Sequence, residues 1–263
     1  MYKNFLIVAS KLDKAGINIT TQLSQFGNFN FYLVDNEAIY TENLDLERLN
    51  QYDFIIFASK HQSEKGGKTL SIHAPGNWRK ADYGGKEGRV CKTSALFQKQ
   101  LFENLQKMKE KFELNDYDLT LECTHHGPLI TKPCVFLEIG ASELEWKDRR
   151  AGFVAAKALH ETLQNFKENP YNEIAIAVGG PHYCPSFNKI QLNSNVAISH
   201  VTSQYAFPLT EEMVQEAIAG TAEDVDMILL DWKGMGNSEQ RKQAMEVLDR
   251  FYIPKKRTSE ISK

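Results

Sequence analysis

The sequence predicts an α/β fold in which a largely parallel or mixed sheet is covered on both faces by helices. Seven short runs rich in β-branched and aromatic residues are bounded by turn residues, at Phe5–Ala9, Phe29–Val34, Phe54–Ala58, Leu119–Cys123, Cys134–Ile139, Ile174–Val178 and Met227–Leu230. Their hydrophobicity is continuous rather than alternating, as expected of strands buried on both faces. Apolar residues at helical spacing lie between them, which is the alternation of an α/β protein.

The first run opens the chain as a strand. One helix is predicted from the spacing of Leu101, Leu105, Met108 and Phe112, and a second from Ala151, Val154, Ala155, Ala158, Leu159, Leu163 and Phe166. Ser142 and Glu145 precede the second helix at capping-box spacing, where hydroxyl and carboxylate satisfy free backbone donors. Two more helices are expected from Thr210 to about Ala219 and from Ser238 to about Phe251. No repeat, low-complexity segment or Pro/Ser-rich linker divides the chain, so residues 1–263 read as one domain. Residues 60–92, with Gly66-Gly67, Gly84-Gly85 and Pro75, read as a loop-rich insertion, and the polar tail from Lys255 as frayed.

Composition narrows the function. The 263 residues are 42% hydrophobic and 25% charged, enough apolar content for a core and too much for disorder. The apolar runs fall far short of the roughly 20 residues of a membrane span. The N-terminus lacks the apolar stretch and cleavage site of a signal peptide, so a cytoplasmic protein is expected. Four cysteines without a CxxC give neither a disulfide framework nor a zinc ribbon. A net charge of -3 argues against wholesale nucleic-acid binding. Yet the 60–92 segment holds eight Lys and Arg against three acidic residues, a local field suited to phosphates.

Titratable residues beside glycine or proline cluster at the predicted strand ends, where open α/β sheets place their ligand crevices. The segments are Ser71–Asn77 with His73, Glu122–Pro128 with His125 and His126, Glu138–Ser142, and Gly179–Pro185 with His182. Adjacent His125 and His126 alternate sides in a strand, but the following Gly-Pro turn lets either face inward. Each histidine is either an imidazole satisfying the backbone or a functional group. Glu122 and Glu138 lie in apolar sequence, where a carboxylate needs a cation, a metal or a catalytic reason to be buried. Cysteines 123, 134 and 184 read as small buried hydrophobes. Serine-elbow, Walker and dinucleotide motifs are missing from the sequence, which favours hydrolysis by activated water. Lys233 is a further strand-end cation, with a solvated turn lysine as its ordinary explanation.

Taken together, SIHAPGN (71–77), THHGP (124–128), LEIGASELEW (137–146), GGPHYCP (179–185) and DWKG (231–234) resemble the archaeal and plant type of D-aminoacyl-tRNA deacylase. The motifs occur in the family's order and span residues 1–250. The resemblance implies hydrolysis of the ester joining a D-amino acid to the tRNA 3′ end, a zinc requirement, and a three-layer α/β/α fold like that of nucleoside phosphorylases and peptidyl-tRNA hydrolase. Carried over by position, His73, Asn77, His125, His126, Glu138, His182 and Lys233 would line the cleft. Zn2+ ligands would come from His73, His125, His126, Glu138 and His182, and catalytic groups from His126, His182, Glu138 and Lys233.

On this reading Lys233 or the amides of Gly179 and Gly180 would serve the oxyanion. Lys65, Lys68, Arg79 and Lys80 would meet acceptor-stem phosphates, and Trp78 or Tyr83 would stack on a terminal base. A monomer is expected. The alternatives are a nucleoside or small-molecule hydrolase or phosphorylase of the same fold, and a non-catalytic tRNA-binding protein whose histidines are structural.

Overall fold

The structure is a computed structural model that describes residues 2–42, 44–64, 66–168, 170–171 and 173–261. In chain order the first half comprises β1 (Phe5–Ser10), α1 (Lys14–Leu23), β2 (Asn30–Val34), α2 (Leu46–Leu49), β3 (Phe54–Lys60), β4 (Thr69–His73), β5 (Gly76–Asn77), β6 (Arg89–Val90) and α3 (Ala95–Lys111). The second half comprises β7 (Asp118–Leu121), β8 (Cys134–Gly140), α4 (Glu143–Trp146), α5 (Arg149–Asn165), β9 (Glu173–Val178), α6 (Pro185–Asn193), β10 (Val196–Thr202), α7 (Glu211–Gly220), β11 (Met227–Leu230), α8 (Ser238–Leu248) and β12 (Lys255–Arg257).

The strands form two main sheets, where the sequence suggested one. A six-stranded sheet runs β2-β1-β3-β8-β4-β7, parallel throughout except where β4 meets β8. A four-stranded parallel sheet runs β10-β9-β11-β12. Central β3 and β8 are continuously apolar because both their faces are covered, and Phe57 and Phe136 stack across them at 4.7 Å. Helices α1, α3 and α5 pack together on one side, while α7 and α8 share a separate core with β9 and β11. The result is α/β/α layering.

Several local expectations change. The Ser142–Glu145 capping box belongs to the one-turn α4, not to the long helix; α5 starts afresh with Asp148 as its N-cap. The 60–92 segment is not loop throughout. β4 lies inside the six-stranded sheet, wholly buried, and β5 and β6 form a small hairpin. Its alternating Thr69, Ser71 and His73 disguise β4 as polar loop, because those side chains face the site rather than the hydrocarbon core. The tail is not frayed at 255–257, since β12 pairs in parallel with β11.

The two sheets meet at the exit of β7. Glu122 N–H bonds the Ile72 carbonyl of the first sheet, whereas Cys123 N–H bonds the His182 carbonyl and Thr124 N–H bonds that of Val201 in the second. That seam holds the polar cluster described next.

Candidate active site

Six segments converge on the seam. His61 follows β3, and its N–H bonds the Ile139 carbonyl of β8. Ser71 and Ser59 flank Glu138 in register, from β4 on one side of β8 and β3 on the other. The turn after β7 supplies Glu122, Cys123, His125 and His126, and Gly76 N–H ties it to β5 by bonding the His126 carbonyl at 2.7 Å. His126 itself has φ +43, a sparsely populated conformation for a residue with a side chain. The Gly179-Gly180 turn delivers His182 and Tyr183, with φ of +100 and +83 that favour glycine.

Glu122 and Glu138 are fully buried, and five imidazoles surround them. His182 Nε2–H donates to Glu122 Oε2 at 2.9 Å. His61 Nδ1 lies 3.2 Å from Glu122 Oε1 and 3.7 Å from Glu138 Oε2. Burial alone would neutralise these two imidazoles. For His61, hydrogen bonds and charge from Glu122 and Glu138 outweigh it and raise the pKa to about 11. For His182, Cys123 and Glu122 do so and raise it to about 10. Burial opposes ionisation of both carboxyls, but His182 and His61 at Glu122, and the imidazoles packed around Glu138, hold them well below the usual carboxylate range.

The other three imidazoles share one arrangement. His73, His125 and His126 each donate Nδ1–H to a carbonyl, of Ala74 at 3.2 Å, Cys123 at 2.8 Å and Gly127 at 2.7 Å. A carbonyl only accepts, so in the neutral ring the lone pair is on Nε2. Those Nε2 atoms point at carboxylates: His73 and His126 at Glu138, 3.7 and 3.8 Å away, and His125 at Glu122, 3.5 Å away. His73 Nε2 has no hydrogen-bond partner. Burial keeps His125 well below its ordinary pKa and therefore neutral, and the neighbouring imidazoles act in the same direction. Nε2 atoms aimed at carboxylates in this way are placed to share a cation with them. Backbone anchoring of Nδ1 with Nε2 left free is the usual preparation of a histidine for a metal. The Nε2 atoms of the three residues are close enough to share one ion. The donor set fits zinc in chemistry and number.

A cavity of about 960 Å³ opens onto this cluster. Asn77, Lys80, His125, His126, Glu138 and His182 line it, as do His61 and Tyr183. His73 sits behind the lining, completely buried.

The remaining expected site residues are elsewhere or engaged. Lys233 is exposed in the turn after β11 and does not line the cavity; its turn instead buttresses the glycine turn, where Gly180 N–H bonds the Gly234 carbonyl at 3.0 Å. Gly179 N–H is likewise taken by the Thr202 carbonyl, so neither amide is free for an oxyanion. Trp78 is buried, its Nε1–H donating to the Val201 carbonyl, and cannot stack on a base. Arg79 is tied to the carbonyls of Ala206 and Pro208, and Lys68 is paired with Asp116 at 2.8 Å. Lys65 lies outside the described residues.

Sequence reasoning missed His61 and Tyr183 and left Glu122 out of the site. His61 carried the same signal as the others, a histidine just past a buried strand. Tyr183 carried none, since its role depends on His61: their Nε2 and hydroxyl oxygen lie 2.8 Å apart.

An α/β scaffold with a buried histidine–carboxylate centre at a sheet seam defines a hydrolase-type site of the metal-capable kind. Comparison with known proteins identifies the family. The D-aminoacyl-tRNA deacylase family profile matches residues 48–254, and the chain belongs to that family. It is 35% identical to the D-aminoacyl-tRNA deacylase of Thermococcus onnurineus, over 91% of this chain and 95% of that one. It is 31% identical to that of Methanococcus vannielii, over 97% and 99%. A crystal structure of a conserved protein of unknown function superposes with a TM-score of 0.89 at 30% identity, covering 98% of this chain and 96% of the other.

The electrostatic assignment has a direct test in the metal-free protein. Glu122→Gln removes one of the two groups that offset burial, so the His182 pKa, followed by ring-proton NMR, should fall from about 10 toward its ordinary 6.5. An unchanged value would mean that Glu122 does not control it.

Proposed function

We propose that the chain hydrolyses the ester bond of D-aminoacyl-tRNA, releasing free D-amino acid and tRNA, as a cytoplasmic monomer in translation quality control. The observation that carries this reading is that the family match covers the segments whose histidines and carboxylates converge at the mouth of one cavity. The nucleoside-hydrolase and non-catalytic readings gain no comparable support from the relatives, whose names are those of deacylases.

His73, His125 and His126, with Glu138, would hold Zn2+ through Nε2 atoms and a carboxylate oxygen. Bound there, zinc supplies Lewis-acid polarisation and lowers the pKa of water toward about 7. The protein's own contribution lies in the second set of residues. Glu122 keeps His61 and His182 as imidazoliums on the cavity wall. His61 Nε2–H donates to the Tyr183 oxygen, which leaves the Tyr183 hydroxyl proton free to point into the cavity. A hydroxyl polarised in this way is a ready donor for the oxyanion of an attacked ester. It takes the place that sequence reasoning gave to Lys233 and the glycine amides.

Two measurements test the reading. The first is amino-acid release from matched D- and L-aminoacyl-tRNA. Selective release from the D-ester, abolished by verified metal depletion and restored by zinc, is expected. Release from neither ester would refute the activity, and full activity after depletion would refute the zinc assignment. The second is Tyr183→Phe, which should lower kcat by about a hundredfold with KM little changed, the usual cost of losing one oxyanion donor. A loss confined to KM would assign Tyr183 to substrate binding instead.

A further inference from the structure

Tyr40, Tyr83 and Tyr205 form the rim of the catalytic cavity, and they are 45%, 66% and 69% exposed. Five aromatic side chains stand among the exposed large hydrophobics of the described residues, and three of the five border this one opening. Aromatic faces left open to water at one mouth need a partner to account for them.

Tyr83 and Tyr205 are anchored through backbone hydrogen bonds to turns that carry a site histidine, and Tyr40 is held beside Tyr83 by packing. The Tyr83 carbonyl accepts the Gly127 N–H at 2.9 Å, directly after the His125–His126 pair. The Gly84-Gly85 turn beside it is wedged against two neighbours. A Cβ on Gly84 would stand 1.9 Å from the Ile39 carbonyl oxygen, and one on Gly127 would stand 2.2 Å from Gly85 N. Ile39 precedes Tyr40 in the same short helical turn, so Tyr40 and Tyr83 are locked together and to the histidine pair. On the opposite side Gln204 N–H bonds the Gly180 carbonyl at 2.9 Å, which fixes Tyr205 to the turn that delivers His182. A mobile surface loop would lack these ties.

We propose that the three tyrosines are a preorganised stacking platform for the unpaired nucleotides at the 3′ end of the tRNA, and so set the register of the ester over the histidine cluster. The proposal rests on the deacylase reading and extends it. Aromatic faces accept any base, which suits a single-stranded end common to all tRNAs and gives selectivity for unpaired over paired nucleotides. Lys80 lines the same cavity and offers charge to the intervening phosphates, whereas Lys60 is paired there with Glu37 at 2.7 Å. Trp78 and Arg79, the earlier candidates for RNA contact, are spent on internal packing and carbonyl bonds.

The test compares binding of uncharged tRNA with its unpaired 3′ nucleotides intact and of the same tRNA with them removed. It uses the full chain, the Tyr40→Ala, Tyr83→Ala and Tyr205→Ala variants, and the three Tyr→Phe counterparts. The unaltered protein should favour the intact tRNA by at least about fivefold, the low end of one stacked base. The alanine variants should lose part or all of that preference, and the phenylalanine variants should keep it because the ring face is retained. Equal binding of both tRNAs by the unaltered protein, or a full preference surviving in all three alanine variants, overturns the platform. Release of D-amino acid is read in parallel with the unaltered protein. Release without 3′-end preference overturns the platform alone, and preference without release overturns the deacylase reading alone.

Discussion

Two carboxylates buried among five imidazoles are the constraint on which the site depends. An unpaired carboxylate in the interior costs on the order of several kcal/mol even after relaxation. Glu122 and Glu138 are tolerated because imidazoles surround both of them. Glu122 is met by the charged imidazoles of His61 and His182. Glu138 faces the Nε2 atoms of His73 and His126, whose other nitrogens are committed to carbonyls. On the proposed reading the cluster divides into a half that holds protons and a half arranged for a metal.

This division assigns each half its work. The His73, His125 and His126 group offers lone pairs fixed by backbone, so little reorganisation accompanies ion binding. The Glu122, His61 and His182 group offers positive charge and, through Tyr183, a hydroxyl donor beside the cavity. The first half is carried by β4, β8 and the exit of β7, all of the six-stranded sheet, whereas the second draws His182 from the turn after β9 of the other sheet. The β7 exit bonds to both sheets, and its glycine-lined approaches leave no room for a Cβ at Gly127. Packing of the fold and alignment of the site are therefore the same event.

Much of this was legible in the sequence, for identifiable reasons. Continuous apolar strands such as β3 and β8 announce a sheet covered on both faces, and the histidine turns stand out because glycine and proline bracket them. β4 was illegible because its polar Thr69, Ser71 and His73 face the site, which breaks the continuous apolar run expected of a strand buried on both faces. β12 escaped because its Lys-Lys-Arg sequence pairs only at an edge, where backbone bonds suffice without apolar side chains. Lys233, Arg79 and Trp78 were misplaced for one shared reason. Sequence reveals a residue's chemistry but not whether the fold has already spent it, on a carbonyl, a buried core or open solvent. Tyr183 is the converse, an ordinary residue made significant by a histidine 122 positions away in the chain.

The most direct measurement of the central claim is anomalous diffraction at the zinc edge from crystals of the protein supplied with zinc. A peak bounded by His73, His125, His126 and Glu138 is predicted, with His61 and His182 outside its coordination and still paired to Glu122. Zinc found elsewhere, or those three imidazoles turned away from any ion and bonded to protein alone, would contradict the division of the cluster.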